Sequence, residues 1–256
     1  MQKDIDTLHS WSLQWQINCN AKKCHTMCIS RKRIKPLLSY RLGQESLSIV
    51  ESYPYLGVTI SNDLRWNLHV NHIIAKSTRV LNLLRQNIYS CTAAAKALAY
   101  IPLVRPHLEF ASAAWDPHIE TDTYKLDKVQ RRTARFVSKD YRRTTSVTQM
   151  MLKLGWESLA DRRQTARLSL FYKGLHGLAS IPLDHLQNPL RSSRHSTSST
   201  FIPLSTRIDA YKYSFIPRTV VNWNSLPEQS RLKTSLPSFL SSLPSCYWVS
   251  AMAPQR

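Results

Sequence analysis

The chain has 256 residues, 43% of them apolar, and 35 Lys and Arg stand against 16 Asp and Glu, a formal charge of +19. Its pI near 10.0 is the footprint of a nucleic-acid binder, and a membrane surface is set aside because no myristoylation pattern or prenylation box is present. QKDIDTLHS after Met1 lacks a signal-peptide run, three prolines interrupt the longest uncharged stretch (Thr234 to Gln255), and five cysteines lack disulfide-scaffold density, so an intracellular location, nuclear or cytoplasmic and not secreted, is expected.

Residues 3–17 predict a short helix, with Ile5, Leu8, Trp11, Ser12 and Trp15 at helical spacing. Cys24 to Ile29 reads as a strand, followed by the basic turn Arg31-Lys32-Arg33. Leu37–Leu42 and Leu47–Val50 predict a hairpin around Gly43 and Gln44, and Tyr53 to Ile60 another strand segment, broken by Gly57. The period then changes. Val70, Ile73, Ile74, Ser77, Leu81, Leu84 and Ile88 form one helical stripe. Thr92 is placed to cap a helix running to Val104, and Pro106 to begin another carrying Leu108, Ala111, Ser112 and Trp115 on one side. Ser146 caps Val147–Leu154, and Ser158 with Asp161 forms a variant capping box for a helix through Tyr172. Ser, Thr, Arg and Pro dominate Gln187 to Arg207, which reads as a linker or mobile loop. The fold class expected is mainly α with a small α+β N-terminal part: 1–62, a helical bundle over 63–186, a linker over 187–210 and a small C-terminal unit over 211–256.

The stretch Thr123 to Asp140 organises the rest. Wound as a helix, it places Leu126, Val129, Thr133, Phe136 and Val137 on one face. Lys125, Lys128, Arg132, Arg135 and Lys139 fall on the next, flanked by Arg131. Such a row, about 20 Å long, faces either water or a polyanion. If five of these charges neutralise phosphates, the log–log salt slope is roughly −4.5, a loss of about 500-fold between 50 and 200 mM salt.

Other chemistries find little support. Cys24, His25 and Cys28, with Cys19 nearby, lack the second ligand pair of a zinc site, and alternation along a strand makes Cys24 and Cys28 core residues. No metal site is expected. The five glycines form no nucleotide loop, and G-x-S-x-G is absent.

Six blocks in order carry a resemblance: Asn20-Ala21-Lys22-Lys23-Cys24; Tyr55-Leu56-Gly57-Val58 with Leu64, Trp66 and His69; Val104 to Ala111 with Trp115-Asp116-Pro117; Val129-Gln130-Arg131-Arg132-Thr133-Ala134-Arg135; Leu159-Ala160-Asp161-Arg162-Arg163; and Tyr211 to Thr219 with Trp223-Asn224-Ser225-Leu226-Pro227. Together they resemble the C-terminal part of the reverse transcriptase of non-LTR (LINE-type) retrotransposons: palm-end hairpins with motifs D and E, a thumb-like helical bundle and an irregular tail.

The resemblance implies roles. Lys23 matches the motif D lysine, a general acid toward pyrophosphate in a full-length enzyme. Tyr55, Leu56 and Gly57 match the primer grip, where glycine lets backbone approach a strand closely. The basic helix, through Lys125, Lys128, Arg131, Arg132, Arg135 and Lys139, would grip an RNA–DNA hybrid or duplex by shape and phosphate. The family's catalytic [FY]-x-D-D strand is expected upstream of Trp11, and the chain has no Asp-Asp pair. Nucleotidyl transfer needs clustered carboxylates for two Mg²⁺ ions. The expectation is therefore a nucleic-acid-binding piece of a polymerase, without cofactor of its own and inactive alone, Mg²⁺ belonging to the full-length enzyme. The alternatives are a helical protein-interaction module or a non-functional relic of a transposable element.

Overall fold

The computed structural model describes residues 1–17, 19–30, 39–189 and 199–243. The basic turn Arg31-Lys32-Arg33, Leu37 and the middle of the Ser/Thr/Arg-rich stretch lie outside them. The chain forms two compact units, Met1–His69 and Val70–Arg256.

The first unit holds α1 (Gln2–Gln14), a 3-10 turn (Ala21–Lys23) and six short strands: β1 (His25–Thr26), β2 (Arg41–Leu42), β3 (Glu45–Ser46), β4 (Ser48–Ile49), β5 (Ser52–Tyr55) and β6 (Val58–Ser61). Gln2 ties α1 to β2: its Nε2 donates to the Arg41 carbonyl at 2.9 Å, and the Arg41 N–H donates to its Oε1 at 3.1 Å. Although Leu8 and Trp11 on α1 and Trp15 at its C-cap recur at helical spacing, they stay exposed, and Ser12 is the buried residue of the helix.

The strands depart from the sequence reading in three places. The strand expected over Cys24 to Ile29 shrinks to His25–Thr26, which pairs in parallel with β4. The hairpin does turn at Gly43-Gln44, but β2 pairs with Glu45–Ser46, and Ser48–Ile49 leaves for β1. Gly43 has φ +63°, and a Cβ there would come 2.7 Å from His9 Nε2, so a side chain is excluded by both backbone and space. The strand segment expected over Tyr53 to Ile60 breaks at Gly57 as read, but its two halves pair as a hairpin, β5 against β6, turned by Leu56 (φ 47°) and Gly57 (φ 85°). Positive φ at both turn residues is the twist-compatible geometry for a two-residue hairpin loop.

The boundary between the units falls inside α2 (Asn67–Asn87). The second unit continues with α3 (Ala93–Leu103), α4 (Arg105–Glu109), α5 (Ser112–Trp115), α6 (Glu120–Ser138), α7 (Val147–Lys153), α8 (Leu159–Leu175), α9 (Asp209–Lys212), α10 (Phe215–Asn224), α11 (Glu228–Arg231) and α12 (Leu236–Ser242). The described residues are thus mainly helical with small sheets. The caps read from sequence form: Thr92, Ser146 and Ser158 each accept a backbone N–H with their hydroxyls, Ser158 from Asp161 at 3.0 Å. Along the α2 stripe Val70, Ile73, Ser77, Leu81 and Leu84 are buried.

The helix expected through Pro106 to Trp115 is broken. Ala111 adopts φ 51°, in the left-handed region, and separates α4 from α5. Trp115 bridges the break by donating from its indole N–H to the Phe110 carbonyl at 2.7 Å. The C-terminal helices share a core with α8, in which Leu168, Phe171 and Tyr172 pack with Val220, Trp223, Leu226 and Phe239. Each such side chain, fully buried, contributes roughly 1.5–3 kcal/mol. The end of the expected linker is anchored: Asn224 and Phe201 exchange two hydrogen bonds, and the Trp223 indole donates to the Ser199 carbonyl. No described helix is long and apolar enough to cross a membrane.

Candidate nucleic-acid interface

The amphipathic helix is α6. Glu120 and Asp122 occupy its first turn, where carboxylates favour the positive end of the helix dipole. It ends at Ser138, because Lys139 takes φ 51° as the C-cap; Lys139 and Asp140, read from sequence as helical, lie beyond the last turn. Leu126, Val129, Thr133, Phe136 and Val137 are all 2% exposed or less, so the apolar face is buried in full.

The basic face is less uniform than its spacing implies. Lys125 is neutralised by Asp122 at 3.1 Å and also reaches Asn71 Oδ1. Arg135 turns toward the chain, its Nη1 donating to the carbonyls of Arg142 at 2.8 Å and Asp140 at 3.4 Å. These carbonyls lie past the helix end, where a cation is favoured electrostatically. Lys128, Arg131 and Arg132 are exposed, with no ion-pair partner among the described residues. Exposed Tyr124 stands one turn before Lys128 and two before Arg131, on the same strip. An aromatic at that point offers a stacking surface beside three exposed cations, of which Arg131 also lies within electrostatic reach of Asp127. Sequence reasoning passed over Tyr124, although its spacing to Lys128 marks it.

A second cationic cluster adjoins the end of α6. Lys96 on α3 is 1% exposed, and its Nζ makes no hydrogen bond. It lies 4.8 Å from the centre of the Phe136 ring and 5.4 Å from that of Tyr89. Lys139 approaches Tyr89 to 5.7 Å, and Arg85 approaches Phe136 to 5.7 Å. Burial, and next the charge of Lys139, hold the Lys96 amine below its usual range. Arg85 joins this cluster to the strip, since its Nη2 donates to the Arg132 carbonyl at 3.3 Å. The cluster draws on residues as far apart as Arg85 and Lys139 and is invisible to a local sequence pattern.

The other expected site residues lie in the first unit. Lys23 ends the 3-10 turn, exposed, and its carbonyl accepts the Tyr53 hydroxyl at 3.0 Å. Tyr55, Leu56 and Gly57 form the tip of the β5–β6 hairpin, with Tyr55 60% and Leu56 77% exposed. An apolar tip so open is a feature to explain. Cys24 and Cys28 are free thiols, half-buried, and Cys19 is exposed. The described residues hold no group of three or more His, Cys, Asp or Glu placed to bind an ion.

Comparison with protein-family models, curated proteins and solved structures finds no match to this chain.

Proposed function

We propose that the protein binds nucleic acid through α6, as the thumb-bearing C-terminal part of a non-LTR retrotransposon reverse transcriptase. The observation that carries the reading is the strip Tyr124, Lys128, Arg131 and Arg132, three exposed cations and an aromatic on one well-anchored helix. A buried apolar face fixes the helix, so its charges meet a phosphate backbone without first being ordered, which lowers the entropic cost of binding. The net charge of +19 adds a long-range attraction for polyanions. The template–primer hybrid is the duplex proposed, held by backbone and shape. In this reading the hairpin tip Tyr55-Leu56-Gly57 contacts the primer strand, and Lys23 has its role in the full-length enzyme. With no Asp-Asp pair in the sequence, the chain alone incorporates no nucleotide.

The test is fluorescence anisotropy with an RNA–DNA hybrid and with duplex DNA across a salt series. Tighter hybrid binding with a slope near −2.7, for three phosphate contacts, supports the reading. Flat, weak binding to both rejects it, and nucleotide incorporation by the purified chain rejects the proposed inactivity.

A protein-interaction module is the second reading, favoured by the exposed Leu8, Trp11 and Trp15 on α1. It predicts a partner complex that survives nuclease and is lost on Trp11→Ser with Trp15→Ser.

A further inference from the structure

The site lies at the C-terminal end of α5, away from the strip on α6. Three arginines converge there on one carboxylate. Arg163 Nε donates to Asp116 Oδ1 at 2.7 Å, and Arg167 Nε lies 3.0 Å and Arg218 Nη1 3.1 Å from Oδ2. Arg218 Nη1 also donates to the Asp116 carbonyl at 3.0 Å. Arg163 and Arg167 are 1% and 3% exposed and Asp116 is 8% exposed. One carboxylate balances one of these charges. Arg163 Nη1 is buried with no acceptor among the described residues, whereas Arg167 also donates from Nη1 to Asn222 Oδ1 at 3.2 Å. Burial holds Arg167 down to about 10, and Asp116 offsets that in part.

The three arginines line a cavity of about 210 Å³, together with Asp161, Gln164, Thr123, His118 and Tyr213. Asp161 is the second acid of the wall, and burial pushes its carboxyl up. Even with Asp161 ionised the wall carries three positive charges against two negative. Asp127, within electrostatic reach of Arg163, does not line it. A guanidinium N–H buried without an acceptor, as Arg163 Nη1 is, is costly unless a ligand completes it. The cavity supplies room for one, and Arg218, with 27% of its side chain exposed, supplies the entrance.

We infer that this cavity is a binding site for a phosphoryl group, with Arg218 meeting the ligand and Arg163 and Arg167 supplying the field. The guanidinium fork matches phosphate oxygens in pairs. Gln164 and Thr123 add polar groups at the wall, and the His118–Tyr213 stack, with ring centres 4.0 Å apart, closes one side. The ligand is either free phosphate or the terminal phosphate of a nucleic acid. The inference does not rest on duplex binding by α6.

The test is phosphorus NMR and thermal unfolding of the full chain with inorganic phosphate, at ionic strength held constant with chloride. Saturable line broadening and a saturable rise in Tm are expected, with no such rise from acetate. Arg218→Gln weakens phosphate by at least roughly tenfold. Gln164→Glu places a carboxylate among the arginines: it raises Tm without ligand and abolishes the phosphate response. The variant with Gln at 128, 131 and 132 keeps phosphate binding, which separates this site from the strip. A 5′-phosphorylated oligonucleotide that displaces phosphate, where its 5′-hydroxyl counterpart does not, identifies a nucleic-acid end as the source; displacement by neither identifies free phosphate. A phosphate effect no larger than that of matched chloride or acetate, or one unchanged in Gln164→Glu, overturns the inference.

Discussion

Asp116 and Arg163, 47 residues apart in sequence, form an ion pair at 2.7 Å with both side chains nearly out of solvent. The pair ties the end of α5 to α8, and Arg218 brings α10 to the same carboxylate. Asp116→Asn keeps the shape but leaves three guanidiniums around a neutral amide. Removing one partner of a buried pair strands the other, so the loss is about 3–5 kcal/mol. Urea unfolding measures it. A loss under about 1 kcal/mol would place the cluster in the class of weak surface pairs.

The strip on α6 predicts a salt dependence shallower than its charge count implies. Lys125 is occupied by Asp122, Arg135 by backbone carbonyls, and Lys139, beyond the helix end, lies over the Tyr89 ring, which leaves Lys128, Arg131 and Arg132 on the helix for phosphates. The slope expected is about −2.7, a loss of about 40-fold between 50 and 200 mM salt. Glutamine at all three positions removes that contribution. Arg135→Gln behaves differently: it costs about 1 kcal/mol of stability through its lost hydrogen bonds and changes the slope by less than about 1. A slope that falls equally for Arg135→Gln and each strip variant would return Arg135 to the interface.

These two cases show what the sequence makes legible. The apolar face of α6 could be read directly because burial against one core imposes a single period, and Leu126 through Val137 obey it. The fate of Arg135 could not, because its acceptors are carbonyls of a loop, which every residue possesses alike. The break at Ala111 carries no Gly or Pro signal; an alanine in the left-handed region is held there by its surroundings, including the Trp115 bond across it. The N-terminal strands were misread for another reason. With two residues each, β1 to β4 are too short for alternation to declare a register. Phe201 looked like linker by composition, but Asn224 supplies its backbone N–H and carbonyl with partners from 23 residues away. Asp116 and its three arginines were individually visible in the sequence, yet their convergence depends on packing of α5, α8 and α10.

Phe171 meets Trp223 at 5.3 Å and Phe201 at 5.8 Å between ring centres, so α8 and the segment after residue 198 share one aromatic core. Phe171→Ala removes a fully buried ring from it and costs about 3–5 kcal/mol. Because the core is shared, backbone amides of α10 lose hydrogen-exchange protection along with those of α8. Loss confined to α10–α12, with α8 unchanged, would mean that the C-terminal helices open as a separate unit.

His118 and His107 each contribute a pH dependence of fixed sign to the second unit. Burial lowers the folded-state pKa of each below the ordinary 6.5; Arg218 adds to the effect at His118, where Asp209 and Asp122 oppose it, and Lys76 adds to it at His107. A histidine with a depressed folded pKa is protonated more readily in the unfolded chain, so the unfolded state binds more protons below about pH 6.5 and stability falls as pH falls. Above that value the two histidines are neutral in both states and contribute no slope. Urea midpoints measured between pH 7.5 and 5 are therefore expected to decline on the acid side, with His118→Gln and His107→Gln each flattening part of the decline. The depressed Asp140 carboxyl, hydrogen-bonded by Arg142, loses its contribution only at more acidic pH, outside this window. Asp161 and Asp127, whose carboxyls burial raises, act in the opposite sense, so the deciding measurement is the difference from wild type: a decline no shallower in either histidine variant would contradict both environments.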